Sequence, residues 1–462
     1  MTARGLTWLG IARLGLVQTA LGSIVVLMTS TLNRVMVVEL ALAALLPGVL
    51  VGIHYAVELL RPRWGYGSDM GGRRTPWIIG GMALLALGAI LASSTTLILP
   101  TQIGLGMAIA VVAFVLIGIG VGASGTSLLA LMTTRTDPGR RAAAATIVWL
   151  MMIAGIAITA GVAGSLLDPF SIPRLITITA GVAVVAMTLT VLAVWGVEPK
   201  ASVTGPATEP AARSHGSAVG DRPGFLAAMS DVWADQKARR FSLFVFISML
   251  AFSAPDLVLE PFAGAVFAYT PGESTTLTSV QHQGVFLGMI LVGVLGSVFK
   301  GRPLGSLTGW TVLGCAASGA ALFAIASGGV IGPGFPLRAA VFCLGMANGM
   351  FAVAAIGSMM ALASAHGGRE GTRLGFWGAA QAAAFGFGGL LGTGLLDAGR
   401  LLLAAPALPY SVVFLIIGGL FLWASALAWW AARPAPTPAT PGLSASRSPA
   451  SIQRYARASG GR

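Results

Sequence analysis

The sequence predicts an all-α membrane protein with twelve transmembrane helices in two six-helix halves. Of its 462 residues, 56% are hydrophobic and only 9% are charged, whereas soluble globular proteins carry about 25% charged residues. Apolar runs of about 20 residues, each long enough to cross the hydrocarbon core of a bilayer, recur along the chain. These runs cover residues 12–33, 42–66, 76–98, 103–131, 143–166, 173–196, 241–266, 276–299, 308–330, 336–364, 372–396 and 408–431.

The positive charges indicate how these helices are oriented. The chain has 28 Lys and Arg residues and a net charge of +13. They lie in connections on one side of the predicted membrane, except for Arg34, Arg174, Arg338 and Arg400. Because basic loops stay in the cytoplasm, we expect both termini and the central connection to be cytoplasmic. The charges are scattered among short loops and form no single patch, so we expect membrane lipid and not nucleic acid as a partner.

The distribution of polar residues divides the chain into four regions. Residues 1–196 form the N-terminal six-helix half, and residues 241–432 form the C-terminal half. Residues 197–240 are rich in Pro, Gly, Ser and charge and form a cytoplasmic linker. The end of this linker, Phe225 to Phe241, has apolar residues at helical spacing, which favours an interfacial helix over a plain solvated connector. Residues 433–462 are expected to form a disordered cytoplasmic tail.

The two halves resemble each other in sequence at an offset of about 229 residues. Leu167-Asp168 in the first half corresponds to Leu396-Asp397 in the second, and His54 corresponds to His282 at a similar offset. A parallel repeat of this kind implies two halves related by an axis along the membrane normal, with a site between them near the midplane.

The connection between the second and third apolar runs contains Gly65, Asp69, Gly72, Arg73 and Arg74. Glycines allow two helices and a tight turn to come close together, and an aspartate at a helix end can pair with arginines and cap backbone amides. This segment resembles the loop between the second and third helices of the major facilitator superfamily. The resemblance implies that fold for the chain.

Acidic side chains inside the predicted helices are candidates for function, because a charged group at the centre of a membrane costs about 2.5–3.5 kcal/mol on insertion scales. Asp256 and Glu260 are one turn apart on the seventh helix and should share a face, and Pro255 is expected to kink that helix. They either face the cavity between the halves and bind a ligand or carry protons, or they hydrogen-bond neighbouring helices near the periplasmic end. Glu58 on the second helix is a third candidate for ligand binding or proton transfer, and Arg61 nearby offers a salt bridge, which favours a structural role.

Two of the four histidines, His54 and His282, lie inside predicted membrane helices. Neutral imidazole is a common ligand of bound metals, including the central magnesium of chlorophyll-type pigments. Both are therefore candidate pigment ligands, and packing inside the helix bundle is the alternative. The sequence has no paired-histidine metal motif, no nucleotide loop and no aspartate-rich diphosphate site, so we expect neither a metal centre nor enzymatic activity.

Two further segments are more specific than the superfamily loop. Thr31-Leu32-Asn33-Arg34-Val35-Met36 follows the first helix, and Asp256-Leu257-Val258-Leu259-Glu260-Pro261-Phe262, with Gly264 after it, lies in the seventh. They resemble the PucC/LhaA family of purple phototrophic bacteria, and the similarity covers most of residues 6–431. The resemblance implies a photosynthetic light-harvesting complex assembly factor, which delivers bacteriochlorophyll to antenna polypeptides, or chaperones them, around the reaction centre. Bacteriochlorophyll would be cargo and not a catalytic cofactor, and the protein would lie in the inner, intracytoplasmic membrane.

The alternative hypothesis is a proton-coupled transporter of a small amphipathic solute, since the loop implies a transporter fold. The loop departs from the superfamily at Gly67 and Met70, where a bulky apolar residue and a basic residue are usual. This departure favours a membrane chaperone built on a transporter-derived scaffold. A third hypothesis, a pigment-synthesis enzyme, would require the diphosphate site that the sequence lacks.

Overall fold

The computed structural model describes residues 6–60, 73–137, 140–198, 236–299, 306–364 and 370–432. Within these ranges the chain forms twelve helices, which confirms the predicted all-α fold class. They are α1 (Trp8–Glu39), α2 (Leu45–Glu58), α3 (Thr75–Ile98), α4 (Ile103–Arg135), α5 (Arg141–Leu167), α6 (Ile172–Val194), α7 (Gln236–Ser253, Ala254–Leu257 and Leu259–Phe267), α8 (Pro271–Val298), α9 (Leu307–Ile331), α10 (Leu337–Ser364), α11 (Glu370–Leu402) and α12 (Leu408–Ala432).

Ten of the described helices are long and apolar enough to cross a membrane, the other two being α2 and α11. Helix α2 has 14 residues and begins at Leu45, later than the predicted start at residue 42. Ala41, just before this start, adopts a left-handed backbone conformation with φ of 50°, and Asp397 on α11 caps the amides of Ala44 and Leu45. Residues 61–72, which include the end of the predicted run, lie outside the described ranges.

Helix α1 is longer than its predicted range of 12–33, because it continues to Glu39. Its second half contains two π-helical segments, Leu27–Thr31 and Val35–Glu39. Such wide turns are rare and are frequent at functional sites. The apolar pattern ends early because Arg34 and Glu39 are charged, yet these two side chains form an ion pair with each other.

The helices of each half pack mainly on one another, so each half has its own apolar core. Between the halves, α5 packs on α8 and α2 packs on α11, and the second part of α1 meets α7 and α8. We call the membrane side on which α1 ends and α2 begins the distal side. Helix α5 ends and α8 begins on that side, so these inter-half contacts include the distal ends of the helices. Of the predicted interfacial helix, only residues 236–241 are described, as the start of α7.

Glycines bring α8 and α10 into backbone contact. Gly284 and Gly288 on α8 face Gly345 and Gly349 on α10, and each pair is four residues apart. A Cβ atom on Gly345 would lie 1.9 Å from the carbonyl oxygen of Gln281. This spacing is the small-residue pattern that lets membrane helices approach closely. It holds α8, which carries Thr278 and His282, against α10.

Candidate functional site

A break in α7 exposes a backbone carbonyl that a side chain of α1 satisfies. The helix passes through a 3-10 turn, Ala254–Leu257, which contains Pro255 as expected. In a continuous helix the carbonyl of Leu257 would accept a bond from the amide of residue 261, but Pro261 has no N–H. The Asn33 side chain donates to this carbonyl instead, at 2.8 Å. The two family-like segments, 224 residues apart in sequence, are therefore joined by a hydrogen bond.

Glu260 connects three helices. Its side chain is only 1% exposed, and its Oε1 accepts hydrogen bonds from Ser30 Oγ on α1 at 2.6 Å and Thr278 Oγ1 on α8 at 2.5 Å. The two hydroxyl oxygens are 2.9 Å apart. The other carboxyl oxygen, Oε2, is buried and has no hydrogen-bond partner among the described residues. One carboxyl oxygen therefore holds α1, α7 and α8 together.

Arg34 extends the same contact toward the distal side. Its buried guanidinium forms an ion pair with Glu39 and donates to the carbonyl oxygen of Tyr269, just after α7, at 2.8 Å. Gly264 on α7 leaves room for it, because a Cβ atom there would lie 2.9 Å from the guanidinium nitrogen Nη2. We refer to the contact made by Ser30, Asn33, Arg34, Glu260 and Thr278 as the polar joint.

Asp256 lies beside the polar joint but has a different partner. It is half-buried, and the side chain of Gln281 on α8 hydrogen-bonds its carboxyl group. Helical spacing predicts that Asp256 and Glu260 share one face, and the 3-10 turn between them changes that spacing. Both still reach α8, where Gln281 and Thr278 are three residues apart, so the structure brings the two predicted acids to one helix without a shared partner.

The two candidate histidines have different surroundings. His54 is buried, and its Nε2 lies 3.1 Å from Glu58 Oε1, one turn along α2. Glu58 thus has a histidine as its partner, whereas Arg61, the partner considered from sequence, lies outside the described ranges. His282 is half-buried on α8, and its Nδ1 lies 2.9 Å from the carbonyl oxygen of Thr278. Only His282 adjoins the polar joint.

Two aspartates join the halves at the distal ends of the helices. Asp168, after α5, accepts a bond from the Thr270 hydroxyl at the start of α8, at 2.6 Å. Asp397, on α11, accepts bonds from the amides of Ala44 and Leu45 at the start of α2, at 3.0 and 2.7 Å. Sequence reasoning identified both aspartates as repeat positions but not as contacts between halves. Their matched positions near the ends of the fifth and eleventh predicted helices were the available signal.

Of the predicted structural loop, Gly65, Asp69 and Gly72 lie outside the described residues. Arg73 and Arg74 lie at the start of α3. The Arg74 guanidinium donates to the carbonyl oxygen of Ala130 on α4, and one of its nitrogens lies 3.0 Å from the Thr134 hydroxyl oxygen. These two bonds attach the start of α3 to α4.

Glu198, after α6, caps the N-terminus of α3. Its carboxylate accepts bonds from the amides of Arg74 and Thr75 at 3.0 and 2.8 Å, and from the Thr75 hydroxyl at 2.7 Å. Partial burial raises the pKa of this carboxyl, but those hydrogen bonds and the positive charge of Arg73 outweigh it, so the pKa lies below its usual value. Sequence reasoning missed this residue.

Comparison with known proteins shows which family this chain resembles. A family model described as PUCC protein matches residues 31–432. The chain is 50% identical over 424 residues to the Bacteriochlorophyll synthase 44.5 kDa chain of Rhodobacter capsulatus, covering 92% of this chain and 95% of that protein. It is 30% identical to Protein PucC of Cereibacter sphaeroides, over 89% of each chain.

Solved structures of similar shape include transporters. The crystal structure of the D-xylose-proton symporter superposes with a TM-score of 0.67 at 14% identity, covering 91% of this chain and 96% of that one. A likeness at this identity concerns the fold alone. The polar joint is built from the two segments that carry the family resemblance, and the family model matches residues 31–432 of the chain. The chain therefore belongs to the PUCC protein family and has the major facilitator superfamily fold.

Proposed function

We propose that this protein is an assembly factor for photosynthetic light-harvesting complexes, which delivers bacteriochlorophyll to the antenna polypeptides, or chaperones them, around the reaction centre. It works in the inner, intracytoplasmic membrane of a phototrophic bacterium, with both termini in the cytoplasm. Bacteriochlorophyll is its cargo, and antenna polypeptides, reaction centre and lipid are its partners. Relatives named Protein PucC and Bacteriochlorophyll synthase 44.5 kDa chain support this context.

The observation that carries the proposal is the polar joint. The two segments by which the chain resembles the family, around Asn33-Arg34 and Asp256 to Gly264, contact each other across the two halves. Their buried bonds link α1 to α7 and α8. A buried network of this kind favours a scaffold that holds one arrangement of its helices.

The second candidate is a proton-coupled transporter of a small amphipathic solute. The two acids Asp256 and Glu260 between the halves favour it, and the fold, which resembles that of a proton symporter, is compatible with it. A transporter that alternates between two open states has to separate its halves on the distal side in every cycle. It would then break the bonds of Glu260, Asn33 and Arg34, so the joint weighs against this candidate.

Gentle detergent extraction from phototrophically grown cells tests the choice between the two. We expect the purified protein to carry bacteriochlorophyll absorbance and antenna polypeptides, and we expect a strain that lacks it to contain less antenna at normal reaction-centre levels. A colourless protein that moves solute into liposomes would favour the transporter instead. A matched membrane protein of this fold, extracted in the same way, controls for adventitious pigment.

The name of one relative raises a third question, whether this chain takes part in pigment synthesis as an enzyme. We propose that it does not catalyse the reaction itself. The sequence lacks the aspartate-rich diphosphate site that such an enzyme would need. Incubation of the purified chain with bacteriochlorophyllide and an isoprenoid diphosphate tests this directly, since measurable esterification would contradict the proposal.

A further inference from the structure

We infer that His282 is the axial ligand by which this protein holds a magnesium tetrapyrrole, an assignment that rests on the proposed function and selects between the two candidate histidines. The ligating atom would be Nε2, which has a free lone pair, and the bound group would lie between the two halves of the bundle. Four features of the structure support this assignment.

The first feature is the tautomer of the imidazole. Nδ1 of His282 lies 2.9 Å from the carbonyl oxygen of Thr278, and a carbonyl oxygen can only accept a hydrogen bond. The proton therefore lies on Nδ1, and in the neutral ring the lone pair lies on Nε2. A histidine ligand is normally oriented in this way, by a bond from its other nitrogen to a carbonyl.

The second feature is that this lone pair is free and accessible. Among the described residues, Nε2 of His282 has no hydrogen-bond or ion-pair partner, and the side chain is only half-buried. His54 differs in both respects. Its Nε2 faces Glu58 Oε1 at 3.1 Å, and its Nδ1 is sealed inside the protein. Of the two histidines at matched positions, only His282 can therefore ligate a guest without first breaking a contact with a carboxylate.

The third feature is the position of His282. It follows Thr278 by four residues, so it lies on the same face of α8, the face that meets α1 and α7 at the polar joint. It is the twelfth of the 28 residues of α8, about 17 Å from the helix start, which is near the middle of the membrane. A site between the halves near the midplane is where this architecture accommodates ligands.

Half-buried aromatic rings on three neighbouring helices offer a surface for a macrocycle. Tyr55 on α2, Phe385 on α11 and Phe252 on α7 follow one another with ring centroids 5.6 and 6.0 Å apart. Phe252 lies four residues before Asp256, whose carboxyl group is bonded to Gln281, the neighbour of His282. Flat, partly exposed rings pack well against a flat apolar guest. The aromatic rings and the free imidazole together suit a tetrapyrrole better than a small polar solute.

The test compares two pigments that differ only in the metal. The purified full-length protein is titrated with bacteriochlorophyll a and with its magnesium-free counterpart, bacteriopheophytin a, and binding is followed by absorbance and by the Raman bands that report magnesium coordination. We expect the wild type to bind the magnesium pigment about tenfold more tightly, since only that pigment can accept the Nε2 lone pair and outer-shell changes at metal ligands alone cost about 10–100-fold. His282→Leu should lose this preference, and His282→Gly should regain it when free imidazole is added.

His54→Gln is the matched control, since it alters the equivalent position in the other half and should keep the preference. If His282→Leu still prefers the magnesium pigment, the assignment is wrong, while the proposed function stands. If the wild type binds both pigments equally, ligation is again wrong but pigment binding remains. If the wild type binds neither pigment, the assignment fails and the proposed delivery of bacteriochlorophyll fails with it. Imidazole rescue and the Raman bands keep the test decisive if His282→Leu folds poorly.

Discussion

Asn33 and Pro261 illustrate how single residues hold this fold together. Pro261 leaves the carbonyl of Leu257 without a backbone donor, and Asn33 supplies one from another helix at 2.8 Å. Neither residue, considered separately, has an evident structural role. Their pairing explains why a proline and an asparagine occur in buried parts of two membrane helices.

The pairing predicts an energetic coupling between the two positions. Asn33→Leu should lower the free energy of unfolding by about 1–3 kcal/mol, because it leaves a buried carbonyl unpaired. In the Pro261→Ala background the same change should cost less, since the substituted residue regains a backbone N–H that can bond the carbonyl of Leu257. Thermal or denaturant unfolding in detergent of the two single variants and the double variant measures the coupling. Equal costs of Asn33→Leu in both backgrounds would contradict this account.

Asp256 and Glu260 allow a second test, which removes their negative charges and keeps the shape of both side chains. Asp256→Asn with Glu260→Gln keeps an oxygen acceptor for the Ser30 and Thr278 hydroxyls, so the protein should accumulate at near-normal levels. We expect antenna content to fall several-fold if the acids act on cargo or protons. Antenna absorbance per cell, with immunoblots of the protein, provides the measurement. Glu273→Gln, an exposed acid on α8, is the control, and full antenna content in the double variant would remove the pair from the functional site.

At the scale of elements, the contact of α8 with α10 depends on backbone proximity that only glycine allows. Gly345→Ala would place a Cβ atom 1.9 Å from the carbonyl of Gln281 and force the helices apart. We expect a loss of about 1–3 kcal/mol in the free energy of unfolding, as in other overpacked sites. Gly293→Ala on α8 is the matched control, since nothing lies within 4 Å of its added Cβ. Equal melting temperatures for the two variants would contradict a requirement for glycine at position 345.

The attachment of α3 to the end of α6 should depend on pH. The folded protein holds the pKa of Glu198 below the usual 4.5, so its hydrogen bonds add stability above pH 4.5. That contribution is lost as the pH falls below 4.5 and through the lower folded value. Glu198→Gln should therefore be less stable than the wild type at pH 7, and the difference should shrink at pH 4 and below. Melting temperatures of the wild type and Glu198→Gln at both pH values measure this difference. A difference that grows on acidification would contradict the prediction.

At the scale of the whole molecule, the question is whether function requires the halves to separate on the distal side. Gly48 on α2 and Thr393 on α11 are close enough to cross-link, because a Cβ atom on Gly48 would lie 3.1 Å from that of Thr393, near the disulfide range of about 3.5–4.5 Å. The two native cysteines, Cys315 and Cys343, are free and would be replaced by alanine.

In a protein in which Cys315 and Cys343 are replaced by alanine, Gly48→Cys with Thr393→Cys should form a disulfide that holds α2 against α11. An assembly scaffold should capture bacteriochlorophyll and antenna polypeptides equally well in the oxidised and reduced forms. A transporter would stop when oxidised and recover on reduction. Pigment co-purified from membranes under both conditions is the measurement. Loss of capture that reduction restores would contradict the scaffold proposal.

The sequence by itself determined the class of protein, the number of helices and the family. These properties follow from local features, since a bilayer requires about 20 apolar residues for each crossing and the segments around Asn33 and Glu260 can be read directly. Helix ends were less well predicted, because the start of α2 depends on Asp397, which lies far away in the chain. The partner of His54 could have been read from sequence, as Glu58 follows it by four residues.

Only the tertiary structure decided which polar groups meet. Asn33 and Leu257, Ser30 and Glu260, and Asp168 and Thr270 are each more than 100 residues apart in sequence. No periodicity encodes such pairs, because they arise when two separately packed halves come together. The same holds for the histidines. Their positions in sequence are equivalent, and only the surroundings in the folded chain leave His282 with an open nitrogen while the nitrogens of His54 are paired or sealed.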